Sequence, residues 1–322
     1  MAGRIVLLVT SPRLPAGLLT AVAWDLVRAH PVFAAADSEQ AASLRRAGVT
    51  VTITDHGVDE LIAAVATDGT VVWLAGPAGD DPLARTLGRR LAREPRVAEM
   101  ELVYGSWDPP GARLLDAVAV MDRLASPGGD PWKRQQTHRS LAKYMIEEAY
   151  ETVDAIEAND LDALRDELGD VLLQVVLHAR LAENLPEGEA WSVDDVAAGL
   201  VDKMVRRNPH VFGEADVTTV EAITDQWEQI KQAERSGTGV MDSIALGQPA
   251  LSLAAKIQSR ARRAGIDLDG GDVRAAAVEP SVGERLWALV VEAAARGLDA
   301  EAELRRVAVA RLARARDTEQ PS

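Results

Sequence analysis

Strand-forming runs are confined to the N-terminal end of this chain. Arg4–Thr10 (RIVLLVT), Val49–Thr54 (VTVTIT), Thr70–Leu74 (TVVWL) and Glu99–Tyr104 (EMELVY) are short and rich in β-branched residues. They alternate with helix-like stretches such as Leu18–His30 and Glu39–Ala47, a pattern that predicts a small α/β unit with a largely parallel sheet. After Arg113 the strand signals stop. Leu114–Leu124, Thr137–Glu157, Leu161–Glu183, Ser192–Arg207, Val220–Glu234, Pro249–Ala264, Val282–Arg296 and Ala300–Arg316 all carry helical spacing. Asp160, Ser192 and Thr219 stand at cap positions, and Pro209 stops the helix before it. The turn Pro109-Pro110-Gly111 and the break Ser236-Gly237-Thr238-Gly239 mark two boundaries. The fold class is therefore an α/β domain (1–110) followed by all-α regions (111–236 and 237–322).

The 322 residues carry a formal net charge of −15 and contain no cysteine. Polymeric nucleic acid and membrane surfaces both demand a basic face, so neither is an expected partner. Disulfides, thiolate zinc sites and cysteine nucleophiles are excluded. The one early apolar run, Ile5–Val9, is too short for a signal-peptide core, and the chain reads as cytoplasmic. A G-x-x-x-x-G-K-[ST] phosphate loop is missing from the sequence.

The informative segment spans 143–180. It holds Glu147-Glu148-x-x-Glu151 and then Glu167-x-x-Asp170. Residues three apart share a helix face. The turn between the two helices centres on Asn159; Glu151 and Glu167 stand eight residues from it, Glu148 and Asp170 eleven. In an antiparallel hairpin these form two level pairs. Leu141, Met145, Val153 and Ile156 on one helix, and Leu164, Leu168, Val171 and Val175 on the other, are expected to flank the same seam. Four carboxylates there repel one another unless a cation compensates. All-oxygen ligands suit Mg²⁺ first and Mn²⁺ second. The competing reading is that these are ordinary exposed glutamates of good helix-forming sequence.

Downstream, Lys203, Arg206 and Arg207 lie three and four apart at a helix end, where guanidinium forks match phosphate oxygens. They equally suit the helix dipole. Trp227 and Lys231 lie four apart on the next helix, placing a ring for a base beside a cation for a phosphate, or else a core tryptophan beside a solvated lysine. His138, His178 and His210 lack metal-ligand spacing and read as structural, with His210 also a candidate pocket wall.

Asp130-Pro131-Trp132, Gln136-Thr137-His138-x-Ser140-Leu141, EEAYE, ELGD, RRNPHVFG and WEQIK occur in order. Together they resemble the MazG nucleoside triphosphate pyrophosphohydrolases from about Leu114 to Gly265. The resemblance implies an all-α fold that forms a four-helix core by homodimerisation. It also implies Mg²⁺-dependent hydrolysis of nucleoside triphosphates and dNTPs between the α- and β-phosphates. It places metal ligands on Glu148, Glu151, Glu167 and Asp170, and substrate contacts on Lys203, Arg207, Trp227 and Lys231, with Arg206 beside them. Glu147 takes the first acidic position, as base or outer-shell residue.

The chain departs from that pattern in two places. Ala163 stands where some relatives carry lysine, and a second repeat is eroded. In that repeat Gly283–Val290 matches Gly169–Val176, but Ser281 faces Glu167 and Glu284 faces Asp170. Residues 237–322 thus read as a degenerate, structural copy with one active site per chain. Leu102–Asp116 resembles the junction of a tetrapyrrole methylase domain with MazG, but the region before it is about half such a domain, a truncated remnant without methyl transfer. The alternatives are a non-catalytic nucleotide-sensing or partner-binding helical protein, a pyrophosphohydrolase for one dedicated nucleotide such as phosphoribosyl-ATP, and, last, a methyltransferase.

Overall fold

The computed structural model describes residues 3–55, 57–213, 218–234, 239–242, 244–268 and 280–319. Ser236-Gly237-Thr238, most of the expected second boundary, lies outside them. The chain divides into two compact units, Met1–Ala198 and Gly199–Ser322.

The first unit opens with a five-stranded sheet built of β1 (Gly3–Val9), β2 (Val32–Ala34), β3 (Val51–Ile53), β4 (Thr70–Leu74) and β5 (Ala98–Tyr104), in the order β3-β2-β4-β1-β5. Every pairing is parallel. The connections are helical: α1 (Ala21–Ala29), α2 (Glu39–Arg46), α3 (Gly57–Asp68) and α4 (Asp81–Arg93). Period-two alternation sends successive side chains of β1 to opposite faces. Val6 and Leu8 pack with Ala23, Val27 and Leu44 on one side, while Ile5 and Leu7 pack with Leu61, Val65 and Leu87 on the other. Both faces are covered, which explains an apolar run rather than an alternating one.

Four further helices follow: α5 (Arg113–Ala125), α6 (His138–Ala158), α7 (Leu161–Ala182) and α8 (Val193–Arg207), the last continuing into the second unit. The junction motif forms a clasp. Arg13 Nε donates to both oxygens of Asp116 at 2.9 Å, Arg13 also pairs with Asp108, and the Ser11 amide donates to Ser106 Oγ at 2.9 Å. These bonds pin the loop after β1 to the first turn of α5. Met121, Leu141, Val176 and Leu177 form a third core, joined by Tyr144, Leu172, Leu173 and Leu181. Leu177 is fully buried. Leu177→Ala is expected to lower unfolding free energy by about 2–5 kcal/mol in urea titration, the range for cavity-forming truncations; a loss below about 1 kcal/mol would contradict this packing.

The core differs from the expected seam. Leu141 is buried, but Val153, Ile156 and Leu168 are 37%, 54% and 51% exposed. Helix α7 carries two apolar faces. Leu173, Val176 and Leu177 face α5 and α6, whereas Leu161, Leu164, Leu168, Val171 and Val175 follow a separate 3-4 spacing that the described residues leave partly uncovered.

The second unit contains the end of α8, then α9 (Pro209–Phe212), α10 (Val220–Ala233), α11 (Ala250–Ala264), α12 (Val282–Ala295) and α13 (Ala300–Glu319). Ser281 caps α12, and Glu284 accepts the Ser281 amide at 2.5 Å in a reciprocal capping box. Its carboxylate is thus committed to its own helix end, while Glu167 and Asp170 lie past the first turn of α7. No described helix is long and apolar enough to cross a membrane.

Candidate active site: an acidic hairpin and a cation cluster

The motifs before α6 are helix-start devices. Asp130 Oδ1 accepts the amides of Trp132 at 2.7 Å and Lys133 at 3.2 Å. Thr137 caps α6, since the Ser140 amide donates to Thr137 Oγ1 at 3.1 Å and the Thr137 amide to Ser140 Oγ at 2.9 Å. Ser140 Oγ also donates to Gln136 Oε1 at 2.6 Å. Leu141 then plugs the core.

At the other end, Asn159 takes the left-handed conformation, with φ 52°, which asparagine tolerates better than most residues. The Asp160 amide reaches back to the Ala155 carbonyl at 3.1 Å. Asp160 Oδ1 then accepts the amides of Asp162 and Ala163 at 3.1 and 3.0 Å, starting α7. Two residues therefore reverse the chain between two long helices.

This hairpin gathers the carboxylates. One oxygen each from Glu148, Glu151 and Glu167 lies within 4.8 Å of the others. Asp170 stands outside that tight group, yet its charge acts on both Glu148 and Glu167. Partial burial is the main cause that holds the Glu148 proton above the usual carboxylate range, followed by the charges of Asp170 and Glu151. Glu167 is raised likewise, first by desolvation and then by Glu151 and Asp170. The leading charge on each thus comes across the hairpin. Glu147 is exposed, one position around the helix, and adds its charge to Glu148.

The donor set fits a small hard cation. Ligands on opposite sides of Mg²⁺ lie about 4.2 Å apart, so these oxygens close on one with little adjustment. Part of the rise at Glu148 and Glu167, after desolvation, comes from neighbouring carboxylates, a repulsion that a cation would relieve.

In the second unit, Arg206 Nε donates to Glu234 Oε1 at 2.6 Å. Arg207 donates to Glu234 Oε2 through Nε at 3.1 Å and Nη2 at 2.5 Å. Together the two arginines pull the Glu234 carboxyl down to about 2. The guanidinium of Arg207 lies 5.4 Å from the Trp227 ring centre and Lys231 Nζ 4.4 Å from it. Trp227 is thus flanked by cations rather than sunk in a core. Lys203 is half-buried one turn earlier on α8. Glu234 was not among the expected residues, although Trp227, Lys231 and Glu234 fall four and three apart on one helix face.

Two of the histidines pair with each other. His138 and His178 meet with their Nδ1 atoms 2.7 Å apart, and Trp191 stacks on His138 at 6.2 Å. Burial, then the neighbouring imidazole, lowers the proton affinity of His178.

Comparison with known proteins gives a consistent family. The MazG nucleotide pyrophosphohydrolase domain matches residues 136–212, a span that contains every candidate ligand. A Streptomyces cacaoi protein described as an uncharacterized 26.1 kDa protein in the blaB 3′ region is 48% identical over 233 residues, covering 72% of this chain and 92% of that one. The nucleoside triphosphate pyrophosphohydrolase of Mycolicibacterium smegmatis is 44% identical over 175 residues, 53% of each chain. The nucleoside triphosphate pyrophosphohydrolase/pyrophosphatase MazG of Thermotoga maritima is 42% identical over 162 residues, 49% of this chain and 60% of that one. The chain thus spans about half the length of these relatives with a named activity. The domain match falls on the hairpin that draws the carboxylates together, and the similarity runs well beyond it: the chain belongs to the MazG nucleotide pyrophosphohydrolase family.

Proposed function

We propose that this protein hydrolyses nucleoside triphosphates and dNTPs to the monophosphate and pyrophosphate, with broad base tolerance and a house-cleaning role in the cytoplasm. The observation that carries the reading is the meeting of three carboxylate oxygens across one hairpin, in a family whose relatives bear that activity in their names. In this reading the catalytic domain covers 111–236. The region 1–110 would be methylase-like, and 237–322 a degenerate MazG-like repeat.

Glu148, Glu151, Glu167 and Asp170 would hold Mg²⁺, or Mn²⁺ in its place. Bound magnesium supplies Lewis acidity, drawing charge from triphosphate oxygens and making water a stronger acid. Glu147 would accept the proton of the attacking water or orient it from outside the ligand set. Water oxygen bonds to the α-phosphorus as its bond to the bridging oxygen breaks, and pyrophosphate leaves. Lys203, Arg206, Arg207 and Lys231 would offset the charge that builds on that leaving group. Trp227 would stack on the base, a contact that every base offers.

A homodimer accompanies this reading. Ile146, Tyr150, Val153 and Ile156 form one stripe on α6, with Ile156 54% exposed, and Leu161 on α7 is 78% exposed. An apolar stripe of this extent on a helical pair suits a second copy of the same hairpin, giving four helices around a shared core.

The test is a product assay with the full chain, Mg²⁺ and a panel of NTPs and dNTPs. Monophosphate and pyrophosphate in equal amounts are expected from several bases. Nucleotide binding without turnover would favour a sensing protein. Turnover of one nucleotide alone would favour a dedicated enzyme, and methyl transfer from S-adenosylmethionine would overturn the reading of 1–110.

A further inference from the structure

We infer that Glu234 is a positioning residue of the phosphate grip: it braces Arg206 and Arg207 so that Arg207 stays against Trp227 with part of its guanidinium turned outward. The inference rests on the proposed pyrophosphohydrolase reading and adds a residue to it.

The geometry carries it. Glu234 lies at the C-terminal end of α10, on the face that bears Trp227 and Lys231. Each of its oxygens takes a different arginine from the end of α8. The Arg207 contact is side-on, using Nε and Nη2, which fixes the plane of the guanidinium as a single contact would not. The bonds to Glu234 use Nε of Arg206 and the Nε and Nη2 edge of Arg207, which leaves the Nη1/Nη2 edge of each guanidinium turned away from Glu234 and able to donate to an anion. The Arg207 and Glu234 side chains are 16% and 21% exposed, so each rests largely against its partners.

Without the carboxylate, two neighbouring guanidinium groups repel each other and regain rotamer freedom. A glutamine of the same shape can accept from one arginine through its oxygen but turns N–H groups toward the other. Holding Glu234 ionised needs no special condition, since its proton affinity is already depressed far below the assay range.

The effect must run through Arg207, and a double-mutant cycle isolates that path. In steady-state assays of the full chain, Glu234→Gln is expected to raise KM for dNTPs about fivefold to tenfold, with kcat within about twofold. The inhibition constant of inorganic pyrophosphate should rise in parallel. Arg207→Ala should raise KM by about tenfold or more, and Glu234→Gln added to it should change KM by less than about twofold. Arg206→Ala leaves the side-on pair standing and should raise KM less than Glu234→Gln does. An unchanged or lowered KM in Glu234→Gln overturns the inference while leaving the enzymatic reading intact. So does an equal rise in both backgrounds, which would mean an effect on the fold at large. If Arg207→Ala itself leaves KM unchanged, the phosphate grip and the brace fall together.

Discussion

Glu148→Gln is expected to stop turnover while making the metal-free protein harder to unfold. The substitution neutralises one of the three clustered carboxylates, and the amide oxygen it leaves is a weaker ligand than an anionic one. A fall in kcat of at least about a hundredfold follows, roughly 2.7 kcal/mol or more of lost transition-state stabilisation. Stability should move the other way. Glu148 and Glu167 both hold protons above the usual carboxylate range. Their contribution is therefore complete below the pKa of an unfolded glutamate and is lost as pH rises through their folded values. Near neutrality the folded, metal-free chain carries that loss, and Glu148→Gln removes part of it. Thermal melts in a chelator should show the variant melting above the parent at pH 7, with the gap closing on acidification. Adding Mg²⁺ should raise the parent's Tm and leave the variant's nearly unchanged. Near-normal kcat in Glu148→Gln, or equal Mg²⁺-induced shifts in both proteins, would remove Glu148 from the ligand set.

With the homodimer proposed above, Ile156→Asp should convert the dimer into a monomer. Its side chain lies on the uncovered stripe of α6, so the change costs the isolated chain almost nothing. At a two-fold interface it would appear twice, each time forcing an unpaired carboxylate against apolar surface at a cost of several kcal/mol. Two such terms exceed what a micromolar dimer, held by about 8 kcal/mol, can absorb. Sedimentation velocity should show the parent at twice the chain mass and the variant at the chain mass. Far-UV circular dichroism should be unchanged. A parent that sediments as a monomer, or a variant that stays dimeric, would show that this face packs against something other than its own copy.

Much of the fold could be read directly from residue patterns. The helices after Arg113 lie within a residue or two of their periodic segments, apart from a longer α13 and the four-residue α9, which is too short to show a period, because long amphipathic runs with caps signal themselves. The three-residue strand β2 is too short to show a period, and α4 begins with Asp81-Pro82 after a glycine-rich loop. The hairpin register could be counted from Asn159, since helix pitch is fixed. The same count puts Arg180, not His178, level with His138, so the histidine pair, twenty-one residues before Asn159 and nineteen after it, is not legible from it. Periodicity identifies an apolar face but not what covers it, so the pattern does not separate Val153, Ile156 and Leu168, exposed in the single chain, from the buried Leu141. Glu234 is not legible in the sequence because it pairs with arginines twenty-seven and twenty-eight residues away, a distance no local pattern encodes.

The two-residue reversal at Asn159 and Asp160 also sets a rule for how this chain can vary. One residue inserted there would rotate α7 by about 100° and slide it about 1.5 Å against α6, carrying Glu167 and Asp170 off the face they share with Glu148. The tip of the hairpin therefore acts as a length gauge for a centre several turns away. Descendants of this sequence can exchange side chains at the tip, but the number of residues in it is as tightly constrained as the ligands themselves.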